Sequence, residues 1–192
     1  MEQLKMYLLP PIDVPELTPP AGYSIIRYMS DKDQEDWVEC CKNGALINEE
    51  IGTEAFKEAI LERTLDVYQD VLFLVHNGER IATATCYVNE QNEGDLHMVG
   101  MKEEYRGHGL SKYIVYEALR NLNGKNVKYI FLTTDEFRKG AIKTYLNAGF
   151  LPVDYDQDMK ERWEGVLKDI NVESALMLND DGSVKQTIYR AK

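Results

Sequence analysis

Arg106-Gly107-His108-Gly109 stands between an apolar run that ends near Met101 and a helical pattern that opens at once with Leu110 and Ser111. Glycines at such a junction let the main chain approach a ligand, and the first-turn N–H groups of the helix have no intrahelical partner. With the positive end of the helix dipole they form a site for phosphate or pyrophosphate. Lys102, Arg106, His108 and Lys112 concentrate positive charge here, within a chain of net charge −11. The spacing is not the dinucleotide fingerprint G-x-G-x-x-G, since Gly109 is followed by Leu110, Ser111 and Lys112. It is not the P-loop pattern G-x-x-x-x-G-K-[ST] either. Two glycines also serve simply to turn a chain, and on these residues alone both readings stand.

The neighbouring elements must hold that loop in place. A strand is expected from about Asp95 to Met101, and a helix over Leu110–Leu122 with Leu110, Ile114, Val115, Ala118, Leu119 and Leu122 on one side. Upstream, Tyr23–Tyr28 reads as a strand. Asp31 and Gln34 form a capping box for a helix whose stripe is Trp37, Val38, Cys41 and Ala45. Thr53 caps a second helix with stripes Phe56, Ile60, Val67 and Leu61, Leu65, Tyr68. Val71–Val75 and Ile81–Val88 are strands joined at Asn77-Gly78, because both turn residues tolerate positive φ. Val127–Thr133 is a strand, and Lys139–Ala148 a helix stopped by Gly149. Asp158–Ile170 is a helix, and Asn179-Asp180-Asp181-Gly182 marks a hairpin. Five of the six prolines fall in the first 20 residues, so residues 1–21 are expected to be an extended surface arm, neither helix nor central strand. Residues 22–192 are expected to form one domain. The fold class is α/β, in the sense of a mixed sheet with helices on both faces.

Composition narrows the function. With 22 Lys+Arg against 33 Asp+Glu, the chain lacks the basic face a nucleic-acid binder needs. An anionic membrane surface would repel it. The longest uncharged runs, such as Leu17–Ile26, fall far short of the ~20 residues that span a bilayer. Cys40, Cys41 and Cys86 give no disulfide framework, and His76, His97 and His108 come without a C-x-x-C or H-x-x-x-H pattern, so no metal is expected. Reduced thiols point to a cytoplasmic protein.

Arg106-x-x-Gly109-x-Ser111 resembles the [Q/R]-x-x-G-x-[G/A] motif of the GNAT (GCN5-related N-acetyltransferase) superfamily, with Ser in place of Gly/Ala at the last position. Downstream, Ala141-Ile142-Lys143-Thr144-Tyr145-Leu146-Asn147-Ala148-Gly149-Phe150 is similar to the family's A-x-x-x-Y-x-x-x-G-F segment. Arg138 stands where the family often has Asn. The order of elements over about residues 22–152 fits the family. The Pro-rich arm and residues after about 155 lie outside the resemblance.

What the resemblance implies is an N-acetyltransferase with acetyl-CoA as cosubstrate and direct attack by an amine. The loop Arg106, Gly107, His108, Gly109, Leu110 and Ser111 would hold the pyrophosphate, and backbone groups of Val99 and Met101 the pantetheine arm, with Gly100 leaving room. Tyr145 matches the family's general acid, the alternative being a packing tyrosine. Asp95 lies where some members carry a carboxylate that draws a proton from the amine. His97 shares its strand face, with a reference pKa near neutrality suited to a base. The alternatives are a turn Asp95 and a core His97. Tyr87, Glu90 and Thr133 are candidates for the acceptor side. The acceptor would be a small-molecule or peptide amine, weakly favoured if cationic, and a homodimer stays open. The competing reading is a catalytically silent acyl-CoA-binding or sensor module of the same fold.

Overall fold

Val71-Leu72-Phe73-Leu74-Val75 is apolar at every position because both faces of its strand are covered. In the computed structural model, which describes residues 2–43, 46–48, 50–63 and 66–192, Val71, Phe73 and Val75 pack with Trp37, Val38, Cys41, Phe56 and Ile60 on one side. Leu72 and Leu74 are equally buried on the other. The chain divides into two compact units, Val14–Val127 and a second made of Met1–Asp13 with Lys128–Lys192. The N-terminal residues contribute to the second of these units.

In the first unit the elements are β2 (Tyr23–Arg27), α1 (Asp33–Asn43), α2 (Glu54–Ala59), a 3-10 turn at Leu61–Arg63, α3 (Val67–Asp70), β3 (Val71–His76), β4 (Glu79–Val88), β5 (Gly94–Met101), a 3-10 turn at Glu103–Tyr105 and α4 (Ser111–Gly124). The strands lie in the order β2-β3-β4-β5, all antiparallel. Asn77 and Gly78 make the β3–β4 turn at φ +50° and +86°, as expected. The long helix expected to follow Thr53 is instead broken. Asp66 accepts a hydrogen bond from the Tyr68 N–H and so starts α3 afresh. Leu61 and Tyr68 are exposed, and Leu65, like Ala45 of the α1 stripe, lies outside the described residues.

Two polar clamps seat the helices. The buried Asp33 of α1 receives Arg80 Nη2 of β4 at 2.5 Å, and Asp36 receives Nη1 at 3.3 Å. Asp33 Oδ2 also accepts the Met29 and Ser30 N–H groups, while the Gln34 side chain reaches the Asp31 carboxylate at 3.3 Å. At the far end of α4, Lys125 donates to the buried Asp70 and, at 3.2 Å, to the Cys86 carbonyl. Cys86 Sγ faces the Ala118 carbonyl of α4 at 3.5 Å, so α1 and α4 cover opposite faces.

The second unit holds β1 (Leu4–Leu8), β6 (Ile130–Thr134), α5 (Lys139–Asn147), β7 (Leu151–Asp154), α6 (Met159–Asp169), β8 (Ser174–Asn179) and β9 (Val184–Tyr189). Their order is β6-β1-β7-β8-β9, with β7–β8 parallel and β1–β6, β1–β7 and β8–β9 antiparallel. Leu4–Leu8 corrects the surface-arm expectation. It pairs with β6 from Leu4↔Thr134 to Leu8↔Ile130 and with β7 at Met6 and Tyr7, and Leu4 and Met6 are fully buried. The prolines begin only at Pro10, past the last paired residue, so they end the strand without interrupting it. The C-terminal hairpin is present as β8–β9. Among the described residues no helix is long and apolar enough to cross a membrane.

Gly100 of β5 has a task the sequence did not reveal. A Cβ there would lie 2.7 Å from the Cys40 carbonyl oxygen and 3.3 Å from Cys41 Cα. The close approach is that of α1, not of a pantetheine arm. Gly100→Ala is expected to destabilise by about 2–3 kcal/mol, because the obstacle is backbone that cannot rotate away. At this chain length that lowers Tm by ~4–12 °C. Gly165→Ala in α6, where an added Cβ meets nothing within 4 Å, should leave Tm unchanged or raise it. Equal melting curves for the two variants would mean that α1 has room to shift.

Candidate active site

β5 is irregular at its centre. Thr85 of β4 pairs with His97 and Thr83 with Gly100, so Met98 and Val99 together oppose Ala84 alone. Met98 has φ +48°, unusual for a side chain of its size. This is a β-bulge: the extra residue leaves the ladder, and the strand is re-aimed on either side. Before the bulge lie Asp95 and His97; after it come Met101 and the glycine loop.

Asp95 and His97 share one face, as expected from their spacing, with Asp95 Oδ2 3.8 Å from His97 Nδ1. Asp95 pairs with Tyr87 within the sheet and is buried, so it is not a turn residue. Burial pushes its carboxyl up to about 6, against the opposing pull of the Arg63 guanidinium. Arg63 Nη1 lies 3.5 Å from Asp95 Oδ2. Burial and Arg63 together push His97 down to about 4, with the Ala59 backbone opposing. His97 is thus a neutral imidazole near pH 7, and its buried Nε2 has no hydrogen-bond partner among the described residues. It lines a cavity of about 310 Å3 together with Met98, Arg63 and residues of α2 and the segment before it, including Leu46, Ile51 and Ala55. Tyr87, Glu90 and Thr133 do not line it; Tyr87 lies beneath the Arg63 guanidinium, 5.5 Å from ring centroid to Cζ.

Arg63 and the cavity were missed from the sequence. Arg63 lies in the broken helical stretch and reaches Asp95, 32 residues on; no local pattern joins them.

At the loop, Gly107 and Gly109 have φ +78° and +68°. An added Cβ would meet nothing within 4 Å at either, so their requirement is conformational rather than steric. Leu110 is buried and sets the start of α4, whose first turn carries no acidic residue. Gly107, His108 and Gly109 are exposed. Two of the four expected cations are committed elsewhere. Lys102 Nζ pairs with Glu79 at 2.7 Å, and Arg106 donates Nε and Nη2 to the Met101 carbonyl at 3.1 and 2.9 Å. Arg106 thereby closes the loop on the strand end and occupies a backbone acceptor that the pantetheine arm was expected to use. Lys112 stands 5.0 Å from the Tyr113 ring centroid.

Tyr145 belongs to the other unit, on α5. It is buried, edge-on to Phe150 at 6.0 Å between centroids. Gly149 takes φ +96° just past the helix, and the Phe150 N–H returns to the Tyr145 carbonyl at 3.1 Å, which fixes both rings. Burial raises the phenol well above its ordinary value, Arg138 opposing. Arg138 begins α5 with Nε 3.0 Å from Asp135.

The sequence profile of the acetyltransferase (GNAT) family matches residues 22–150. The chain belongs to that family. Among curated relatives it is similar to mycothiol acetyltransferase of Kytococcus sedentarius, at 26% identity over 148 residues, covering 74% of this chain and 48% of the relative. The Streptomyces coelicolor mycothiol acetyltransferase gives 26% over 157 residues, covering 80% and 50%. The chain therefore spans about half the length of the curated relatives it matches. Among solved structures, a GCN5-related N-acetyltransferase from Sphaerobacter thermophilus superposes with TM-score 0.65 at 18% identity, over 79% of this chain and 49% of that one. The ribosomal-protein-S18-alanine N-acetyltransferase of Escherichia coli gives 0.54 at 19%, over 66% and 76%. These two share the GNAT fold with this chain.

Asp95 yields a stability test. Its raised pKa means the folded protein holds a proton that the unfolded chain releases, so Asp95 favours folding at low pH. That contribution is lost as pH rises from about 4 to about 6. Asp95→Asn escapes the loss. Relative to the unmodified protein, the variant should gain up to about 2–3 kcal/mol between pH 4 and 7. His97, with its lowered pKa, has the opposite slope in both proteins, so the difference isolates Asp95. Urea unfolding at several pH values measures it; a pH-independent difference would mean that Asp95 titrates normally.

Proposed function

We propose that this protein transfers an acetyl group from acetyl-CoA to an amine by direct attack. The observation that carries the reading is the start of α4. Two glycines at positive φ and a first turn without acidic residues leave backbone N–H groups ready for an anion. Family membership supports reading that anion as the pyrophosphate of coenzyme A, and the names of the curated relatives support an acetyl group. Gly107, His108, Gly109, Leu110 and Ser111 hold the pyrophosphate, while Arg106 braces the loop through the Met101 carbonyl. The backbone freed at Met98–Val99 receives the pantetheine arm.

In the reaction the amine nitrogen bonds to the thioester carbon, the C–S bond breaks, one amine proton goes to a base, and the thiolate takes a proton. His97, which lines the cavity, and Asp95, 3.8 Å from it on the same face, are the candidates for the base; burial leaves the carboxyl nearer to neutrality than the imidazole. Tyr145 is the proton donor for the thiolate. Its match to the family segment and a phenol kept protonated by burial support that role.

Acetyl-CoA at a hundredfold excess over Kd should stabilise the fold by about 2.7 kcal/mol. Gly109→Glu should remove the accompanying rise in Tm by placing a carboxylate at the anion site. An undiminished rise would move the cofactor elsewhere.

Tyr145→Phe removes one hydroxyl and keeps the ring. Turnover should fall about 10²–10⁴-fold with acetyl-CoA affinity intact. Unchanged kcat beside a lowered Tm would make Tyr145 a packing residue and assign the proton to water or another side chain.

A further inference from the structure

We propose that Glu79 is a positioning residue for the glycine loop: from the end of the β3–β4 hairpin it holds the turn Glu103–Tyr105 in place and so fixes the course of residues 106–110. The proposal rests on the acyl-transfer reading for what the loop binds, and it adds a residue to the loop's support.

The loop has little to hold it at its tip. Gly107, His108 and Gly109 are exposed, and an added Cβ at either glycine would meet nothing within 4 Å. Its backbone course is therefore set from its two ends. At one end the buried Leu110 leads into α4. At the other the turn Glu103–Tyr105 leads into Arg106, whose side chain returns to the Met101 carbonyl. Ordering a loop during binding costs affinity, so whatever fixes the turn beforehand strengthens the anion site.

One carboxylate reaches both sides of that turn. Glu79 Oε1 accepts from Lys102 Nζ at 2.7 Å, and Oε2 accepts from the Tyr105 hydroxyl at 3.1 Å. Glu79 thus ties the residue before the turn and the last residue of it. These contacts, Lys102 foremost, hold the carboxyl below the usual carboxylate range, so it is ionised at neutral pH. Lys102 is only 14% exposed, and its backbone N–H donates to the Ile81 carbonyl of β4 at 3.0 Å. The hairpin supplies a second hold. His76, the cross-strand partner of Glu79, meets the Tyr105 ring edge-on at 5.8 Å between centroids and stacks on Tyr23 at 4.3 Å. Tyr105 is therefore held at its hydroxyl by Glu79 and at its ring by His76. Electrostatics alone would give Glu79 the opposite effect. A carboxylate beside a loop that binds anions repels them, so a loop that did not need Glu79 would bind its anion more tightly once that charge was removed. The sign of the change separates the two cases.

The experiment measures acetyl-CoA binding by titration calorimetry, and amide hydrogen exchange of the ligand-free chain, on the unmodified protein and on Glu79→Ala, Glu79→Gln and Tyr105→Phe. Neither readout needs an acceptor. Glu79→Ala should raise Kd about 3–10-fold, the range of one or two exposed hydrogen bonds. It should also speed exchange over residues 103–110 while leaving the body of α4 unchanged. Glu79→Gln keeps an acceptor and loses the charge, and it should recover most of the affinity. Tyr105→Phe changes no charge and should raise Kd about 2–5-fold. A Kd that Glu79→Ala lowers or leaves unchanged overturns the proposal, as does unchanged exchange in the loop. Faster exchange spread over the whole first unit marks a general loss of stability and overturns it too. If Glu79→Ala does not fold, Tyr105→Phe decides: a raised Kd supports the proposal and an unchanged one overturns it. If acetyl-CoA does not bind the unmodified protein, the acyl-transfer reading fails on its own account. Exchange then decides whether Glu79 holds the loop: acceleration confined to residues 103–110 in Glu79→Ala supports it, and no acceleration overturns it.

Discussion

The first unit is organised by the contact between the backbone of α1 and β5 at Gly100. Any side chain there would press on the Cys40 carbonyl, and α1 is held by Arg80 bridging Asp33 and Asp36. With α1 seated so closely, Trp37, Val38 and Cys41 reach the odd-numbered side chains of β3 and complete a core with Phe56 and Ile60. On one side of Gly100 the strand runs into the bulge at Met98; on the other it ends at Met101, where Arg106 fastens the glycine loop. The glycine turn and the cavity lie on either side of one strand clamped at Gly100.

The site also shows how burial chooses between protonation states. Asp95 and His97 stand 3.8 Å apart, beyond hydrogen-bond reach, and each is pushed toward its neutral form because the charged one is poorly solvated. The Arg63 guanidinium resists this for the carboxylate and reinforces it for the imidazole. The outcome near neutral pH is an ionised Asp95 held by Arg63 and an uncharged His97. The burial that keeps the imidazole uncharged also makes it a weaker proton acceptor than a free histidine.

Positive charge at the loop is more sparing than a count of residues implies. Lys102 is spent on Glu79 and Arg106 on a carbonyl, so the proposed anion site would depend on backbone N–H groups and the helix dipole more than on these side-chain cations. That arrangement does not change with side-chain rotamers, and it needs only that the two glycines keep their left-handed backbone.

Much of this was legible in the residues themselves. The glycine spacing after an apolar run, the Asn77-Gly78 turn, the face shared by Asp95 and His97 and the cap at Gly149 are set by local backbone preference and by strand and helix periods. Those act over a few residues and leave a mark in sequence. Local composition misled at the N-terminus, where the prolines masked the short apolar run Leu4–Leu8 beside them. Its place between β6 and β7 depends on partners more than 100 residues away. The purpose of Gly100, the position of Arg63 and the cavity were likewise decided only by tertiary structure. Each arises where segments distant in the chain meet, and no periodicity records which helix will lie on which strand.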